Sequence, residues 1–243
     1  MYDLHAHILP GVDDGAKTIA ESLDIARVAY KHGTRHILAT PHRKDVTENW
    51  SIEHIDALIK SLNKEIKADG LNLTVYRGME NHLDLSLPEE IRNGRALPIN
   101  DSKYILIELP FFGMPTYVEE VLHQIKAKDF IPVLVHPERI EMFQLNLDLL
   151  ASFTDLGMLT QITAGSIVGT FGPEVKSLTL EILRRGLTDI IASDTHSPTG
   201  PRSPNLTAGL KRAEGFIGKE AASNMVTSNP KNIFDNQDFK VGS

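Results

Sequence analysis

The chain reads as an α/β protein whose parallel strands close into a single-domain, seven-stranded barrel. Short strand-like runs alternate with patterns of helical period along nearly its whole length. One of those runs, Ile131 to Val135, is continuously apolar, as a parallel strand buried on both faces must be. The 243 residues, 41% of them apolar, suit one core of barrel size, and no linker, repeat or low-complexity tract divides residues 1–243.

Leu4 and Ile8 mark the first strand. Thr18 to Glu21 is a capping-box pattern, in which a hydroxyl and a carboxylate satisfy free N–H groups at a helix start. The helix it opens carries Leu23, Ala26 and Tyr30 and stops at Gly33. A second strand spans His36 to Thr40, followed by a long loop holding Trp50, the only tryptophan. Ile52, Ile55, Leu58, Ile59, Leu62 and Ile66 then keep helical spacing up to Gly70. Leu73 to Arg77 is the third strand, and Asn81 to Asp101 reads as a loop with one short helix from Pro88 to Asn93.

Tyr104 to Leu109 is the fourth strand, Tyr117 to Lys128 an amphipathic helix, and Ile131 to Val135 the fifth strand. A helix from Leu145 to Leu156, a strand from Leu159 to Thr163, a helix from Glu174 to Arg185 and a strand from Asp189 to Ala192 follow. The last fifty residues form loop and helix, with proline-rich punctuation from Ser197 to Pro204.

In such barrels the chemistry lies where strands end and βα loops begin. His5 and His7 leave the same face of the first strand, because side chains two apart in a strand point together. The second strand runs into His42, the third into Glu80, the fourth ends at Glu108 and the fifth at His136. The sixth offers only Gln161 and Thr163, and the seventh ends in Asp194 and His196. Five of the ten histidines therefore stand at strand ends, beside three carboxylates. That exceeds what one ion can use, and a carboxylate can bridge two, so a cluster of two or three metals is expected. Asp13 and Asp14, after the first strand, are the nearest additional carboxylates. Nitrogen and oxygen donors without sulfur suit manganese, iron or zinc better than a dedicated calcium or magnesium site.

The absence of cysteine excludes disulfides, thiol catalysis and zinc-thiolate sites. A net charge of −7 and a pI near 5.8 argue against sequence-independent nucleic-acid binding. No basic segment followed by an apolar one opens the chain, and no apolar run approaches the roughly 20 residues that span a bilayer. A cytoplasmic protein without membrane insertion is expected. Amphipathic helices bury an apolar face in the barrel or against a second subunit with the same pattern, so a homo-oligomer is a further expectation.

The segments DLHAHILPGVDDG, ATPH, GME at Glu80, NDSKYILIELP, VHPER and ASDTH together resemble the PHP (polymerase and histidinol phosphatase) superfamily. Within it they are most similar to the manganese-dependent protein-tyrosine phosphatases of bacterial capsule and exopolysaccharide operons, the CpsB/YwqE type. The resemblance runs from Asp3 to about Asn232. It implies a distorted (β/α)7 barrel with three metals at its C-terminal face. His5, His7, Glu80 and Asp194 would hold the first ion, Glu80, Glu108 and His136 the second, and His42 and His196, with Asp14, the third. Arg139 matches the family's phosphate-binding arginine, and Arg202 is the counterpart of a second one, although the loop SPTGPRSP departs from the common spacing. The implied cofactor is Mn2+, two or three ions, with iron, zinc, cobalt or magnesium as substitutes. The implied partner is a phosphotyrosine protein, the tyrosine autokinase that regulates polysaccharide synthesis.

The chemistry is consistent with that resemblance. Phosphomonoester hydrolysis needs charge neutralised, oxygens oriented and a hydroxide delivered in line, which a bridging pair of ions and an arginine fork can provide. The alternatives are a small-molecule phosphatase of histidinol-phosphate type, a phosphodiesterase, or a non-catalytic kinase-binding regulator; a complete ligand set with Arg139 weighs against the last. His32, His36, His54, His82 and His123 lie off the motif set and read as structural, with His82, two residues past Glu80, the one placed to face the mouth. Arg35, Arg43 and Lys44 read as solvated charges, the last two placed to steer an acidic peptide, and Phe111, Phe112 and Tyr117 read as packing.

Overall fold

Parallel pairing carries the chain round a ring. In the computed structural model, which describes residues 1–238, β1 (Tyr2–Ala6) pairs with β2 (His36–Ala39) and β2 with β3 (Thr74–Arg77). A second parallel sheet runs in order β4 (Asn81–His82), β5 (Tyr104–Glu108), β6 (Ile131–Val135), β7 (Leu159–Thr163), β8 (Ile190–Ala192). The seam between β8 and β1 is carried by a bridge from Ala6 to Thr195, with His7 N–H donating to Thr195 O at 2.8 Å and Asp194 N–H to His5 O at 2.9 Å.

β3 and β4 are consecutive in the chain and form one bent stave, pairing first with β2 and then with β5. Gly78 sits at the bend, where a Cβ would come within 2.6 Å of the Leu38 side chain. The expected seven staves are therefore present, one of them split in two. The two-residue β4 falls in a stretch expected to be loop, because so short a strand carries no period to read.

Strand residues alternate between two destinations, as a pleated sheet requires. Leu4, Leu38, Tyr104, Leu106, Val133, Val135, Leu159 and Ile190 pack together, with Ile233 and Phe234 of α12 (Ser228–Phe234). Phe234 meets Tyr2 and Tyr76, and Tyr2 stacks on His36 at 4.1 Å, so α12 plugs the N-terminal end of the ring. His36 is structural, as expected. The outward set on the five-stranded side, including Ile105, Ile107, Leu134, Ile162 and Ile191, packs against α4 (Leu87–Arg92), α5 (Val118–Lys126), α7 (Leu147–Asp155) and α9 (Pro173–Arg184). Ile37, Ala39 and Val75 do the same with α1 (Ile19–Lys31) and α3 (Ile52–Ala68). Thr18 caps α1 as its sequence predicts, its hydroxyl accepting from Glu21 N–H at 3.2 Å.

Other elements differ from expectation. The loop after β2 begins with a helix, α2 (Arg43–Asn49), and Leu145 to Leu156 is two helices, α6 (Glu141–Leu145) and α7, because Asn146 leaves helical geometry and caps the second. α8 (Ala164–Val168) follows β7 directly, and α10 (Leu206–Ile217) and α11 (Lys219–Asn224) precede α12. Trp50 stacks on His54 at 4.6 Å. No helix among the described residues is long and apolar enough to cross a membrane.

Asp189, just before β8, yields a stability prediction. Burial pushes its carboxyl up to about 6, against the opposing hydrogen bond it accepts from Thr160 N–H at 2.9 Å. A carboxyl raised in the fold binds protons more tightly folded than unfolded, so it destabilises progressively as pH rises from about 4 to about 6 and the cost is constant above that. The shift of about two units corresponds to roughly 3 kcal/mol. Asp189→Asn should therefore gain on the wild type by up to that amount between pH 4.5 and pH 7.5 in denaturant unfolding. A stability difference that does not change with pH would refute this.

Candidate metal centre

Glu80 stands at the middle of the site. It is 2% exposed, at the bend between β3 and β4, and four imidazoles converge on its carboxylate. Oε1 lies 2.9 Å from His136 Nε2 and 3.3 Å from His5 Nε2, and Oε2 lies 2.9 Å from His42 Nδ1 and 3.4 Å from His7 Nε2. The backbone holds it there, through Glu80 N–H to Pro41 O and Arg43 N–H to Glu80 O.

Three donor groups share this centre. His5 Nε2 and His7 Nε2 are 3.3 Å apart, and each is 3.6 Å from Asp194 Oδ1. Asp14 Oδ1 lies 3.2 Å from His42 Nε2 and 3.1 Å from His196 Nε2. His136 Nε2 is 3.7 Å from Glu108 Oε1, and His42, Glu80 and Glu108 also come within reach of a common centre. Donors bound to one ion at about 2.1 Å stand roughly 3.0 to 3.5 Å from one another, so most of these spacings suit divalent cations. His196 Nε2 makes no hydrogen bond despite facing the Asp14 oxygen. A buried ring nitrogen that faces a carboxylate oxygen without hydrogen-bonding to it fits a shared metal better than a hydrogen-bond network.

The outer nitrogens show how the rings are aimed. His7 Nδ1 is 2.7 Å from Asp13 Oδ2, His5 Nδ1 3.2 Å from Gln161 Oε1, and His196 Nδ1 3.0 Å from the Asp194 carbonyl. Each contact leaves Nε2 facing inward, the usual means of fixing a ligand imidazole. Asp13 is thus an orienting group rather than a member of the inner set. Gly15 lets its loop lie on the end of β1, since a Cβ there would be 2.1 Å from His7 O. His136 and Asp194 have positive φ, 37° and 52°, a strained geometry for residues with side chains that clusters at functional sites.

The electrostatics favour cations. Burial works against ionised Glu80 and Asp194, but neighbouring histidines, with Arg202 and Arg139 beside Asp194, hold both carboxyls below the usual range. The His196 and His42 imidazoles beside it do the same for Asp14. Burial lowers His7 and His42, yet Asp13 and Glu80 push His7 up to about 9, and Asp14 and Glu80 push His42 up to about 11. Protons are drawn onto the imidazoles by carboxylates that would otherwise face divalent ions.

Both arginines meet the cluster at Asp194. Arg139 Nη1 donates to Oδ2 at 2.5 Å and Arg202 Nη2 to the same oxygen at 2.9 Å, while Arg202 Nε is buried without a partner. The Arg139 turn is anchored by Glu138, whose Oε1 accepts from Thr163 N–H at 2.9 Å and Ser166 Oγ–H at 2.7 Å. The Arg139 guanidinium carbon lies 5.0 Å from the Phe111 ring centre and 4.8 Å from that of Phe171, and Phe111 stacks on His136.

Every residue expected at the site is thus brought together: His5, His7, Asp14, His42, Glu80, Glu108, His136, Asp194 and His196, with Arg139 and Arg202. His82 does face the mouth, its Nδ1 3.5 Å from Glu108 Oε2. Arg43 is not a solvated charge: it is 3% exposed, donating to His82 O and paired with Asp84. Phe112 does not pack, being 80% exposed. Gln161, Glu138 and Phe171 had no role assigned from sequence. A glutamine on a buried strand needs a hydrogen-bond partner, and that was the one available signal.

A parallel α/β ring with an anionic, histidine-rich pocket at its C-terminal strand ends defines a class of proteins built to hold divalent cations. Within that class, the chain belongs to the capsular polysaccharide synthesis family CpsB/CapC, whose pattern matches residues 1–235. It is 34% identical over 237 residues to the tyrosine-protein phosphatase YwqE of Bacillus subtilis, covering 98% of this chain and 92% of that one. It is 27% identical over 245 residues to the tyrosine-protein phosphatase CpsB of Streptococcus pneumoniae, covering 98% and 99%. The fold matches a structure from work on YwqE and CpsB, described as unique metal-dependent tyrosine phosphatases, with a TM-score of 0.91 at 33% identity, covering 100% of this chain and 97% of that one.

Proposed function

We propose that the chain is a metal-dependent phosphoric monoester hydrolase acting on phosphotyrosine in proteins, without a cysteine nucleophile or a covalent phosphoenzyme. The observation that carries this is the Glu80 carboxylate within 2.9 to 3.4 Å of four imidazoles, in a fold that matches metal-dependent tyrosine phosphatases. His5, His7, Glu80 and Asp194 would hold one ion, Glu80, Glu108 and His136 a second, and Asp14, His42 and His196 a third.

Ions bound there supply Lewis acidity to the phosphoryl oxygens and a water acidic enough to attack near neutral pH. The chain's own part is to orient. Asp13 and Gln161 fix the His7 and His5 rings, and Arg139 and Arg202 offer fork-shaped donors that match phosphoryl oxygens. The sulfur-free donor set suits manganese, iron or zinc, and the resemblance to manganese-dependent phosphatases makes Mn2+ the ion we favour, with iron, zinc, cobalt or magnesium as substitutes. The family's place in capsular polysaccharide synthesis makes the tyrosine autokinase of that system the protein substrate we favour.

Manganese-loaded protein should turn over a phosphotyrosine peptide at least tenfold faster than histidinol phosphate, lose all activity to a strong chelator, and trap no phosphorylated protein in rapid quench. Preference for histidinol phosphate, or activity that survives chelation, would overturn the assignment.

A further inference from the structure

Two open clefts flank the donor cluster, and their chemistry differs. One, of about 340 Å³, is lined only by histidines and charged residues, His42, Arg43, Lys44, Asp45, Glu48, His82 and Glu108. The other, of about 790 Å³, meets the cluster at Asp14, His196 and Arg202, and its wall carries Phe171, Pro198 and Pro201 as well as Lys17 and Glu21.

We propose that the larger cleft is an aryl subsite: it takes the ring of a phosphotyrosine, or of another aryl phosphomonoester, whose phosphate lies on the donor cluster, and Phe171 is the wall that sets this specificity. The proposal rests on the phosphatase reading above. Arg139 packs on Phe171 and Arg202 lines the cleft, and both guanidinium groups meet at Asp194. A phosphoryl group held by both arginines therefore stands at the inner end of this cleft, and its ester substituent extends along Phe171.

An apolar ring suits this wall and not the other. In the larger cleft a phenyl ring and two prolines offer flat apolar surface beside its charged residues, whereas the smaller cleft has no apolar residue and would lose water from charged groups against a ring that cannot hydrogen-bond to them. The Phe171 ring is also held in advance. It packs on Gly165, where even a Cβ would come within 3.3 Å of Phe171 Cε2, and Thr170 N–H donates to Gly165 O at 2.9 Å. A fixed ring loses little freedom when a second ring stacks against it.

The test is equilibrium binding, by calorimetry on manganese-loaded protein, of phenylphosphonate against methylphosphonate. Wild type should favour the aryl ligand. Phe171→Ala should cut that advantage by about tenfold, while metal content and methylphosphonate affinity stay unchanged, and Phe171→Tyr should keep it. Lys44→Ala, in the polar cleft, should alter neither affinity. Equal weakening of both phosphonates by Phe171→Ala would mean that the ring acts only through Arg139, and would overturn the proposal. So would an unchanged aryl advantage, or its loss in Lys44→Ala. Wild-type turnover of phosphotyrosine peptide separates the two readings: turnover without an aryl advantage sinks the subsite alone, and an aryl advantage without turnover sinks the phosphatase.

Discussion

Glu80→Ala should bind fewer than two manganese ions per chain and show turnover indistinguishable from background. Its two oxygens face His5, His7, His42 and His136, and it is the one residue assigned to two ions. Losing a single preorganised donor costs an enzyme about 10² to 10³ in kcat, and losing a bridging ligand should exceed that. Glu80→Gln keeps the shape but replaces the carboxylate charge shared between two ions with a neutral amide, so it should bind ions more weakly than wild type and retain at most a trace of activity. Metal analysis after gel filtration in manganese, beside circular dichroism to confirm folding, reads the result. A folded Glu80→Ala protein with two or more ions and turnover within tenfold of wild type would refute its central role.

The site was legible in sequence for a geometric reason. In a parallel ring all strands point the same way, so a residue's position along its own strand is enough to place it at the mouth; His5, His7, Glu80, Glu108, His136 and Asp194 could be assembled without knowing any strand's neighbour. What escaped depends on those neighbours. Arg43 looks like a surface charge until Asp84 and the His82 carbonyl are placed beside it. Gln161 gains meaning from His5 across the ring, and Phe171 from Arg139, which lies on a different βα loop. The missed elements, α2, α8 and β4, are too short for a hydrophobic period to declare itself.

Arg139→Ala should separate substrate binding from metal assembly. An always-protonated guanidinium cannot be a ligand, and Asp194 keeps its second partner, Arg202 at 2.9 Å, when Arg139 is removed. Taking a positive charge from beside an anionic pocket strengthens its attraction for cations, so the metals should stay. The variant nevertheless loses a fork-shaped donor whose contacts tighten as the phosphoryl group moves between oxygens, so kcat/KM should fall by about 10² or more. Arg139→Lys should recover little. An ammonium can neither span Asp194 and a phosphate oxygen bidentately nor replace a planar group lying against Phe111 and Phe171. Near-native turnover of phosphotyrosine peptide by Arg139→Ala would transfer the role to Arg202, since Arg43 is committed to Asp84. Loss of ions instead would show that Arg139 works by holding the Asp194 carboxylate toward His5 and His7, a task the structure leaves to Arg202 alone once Arg139 is gone.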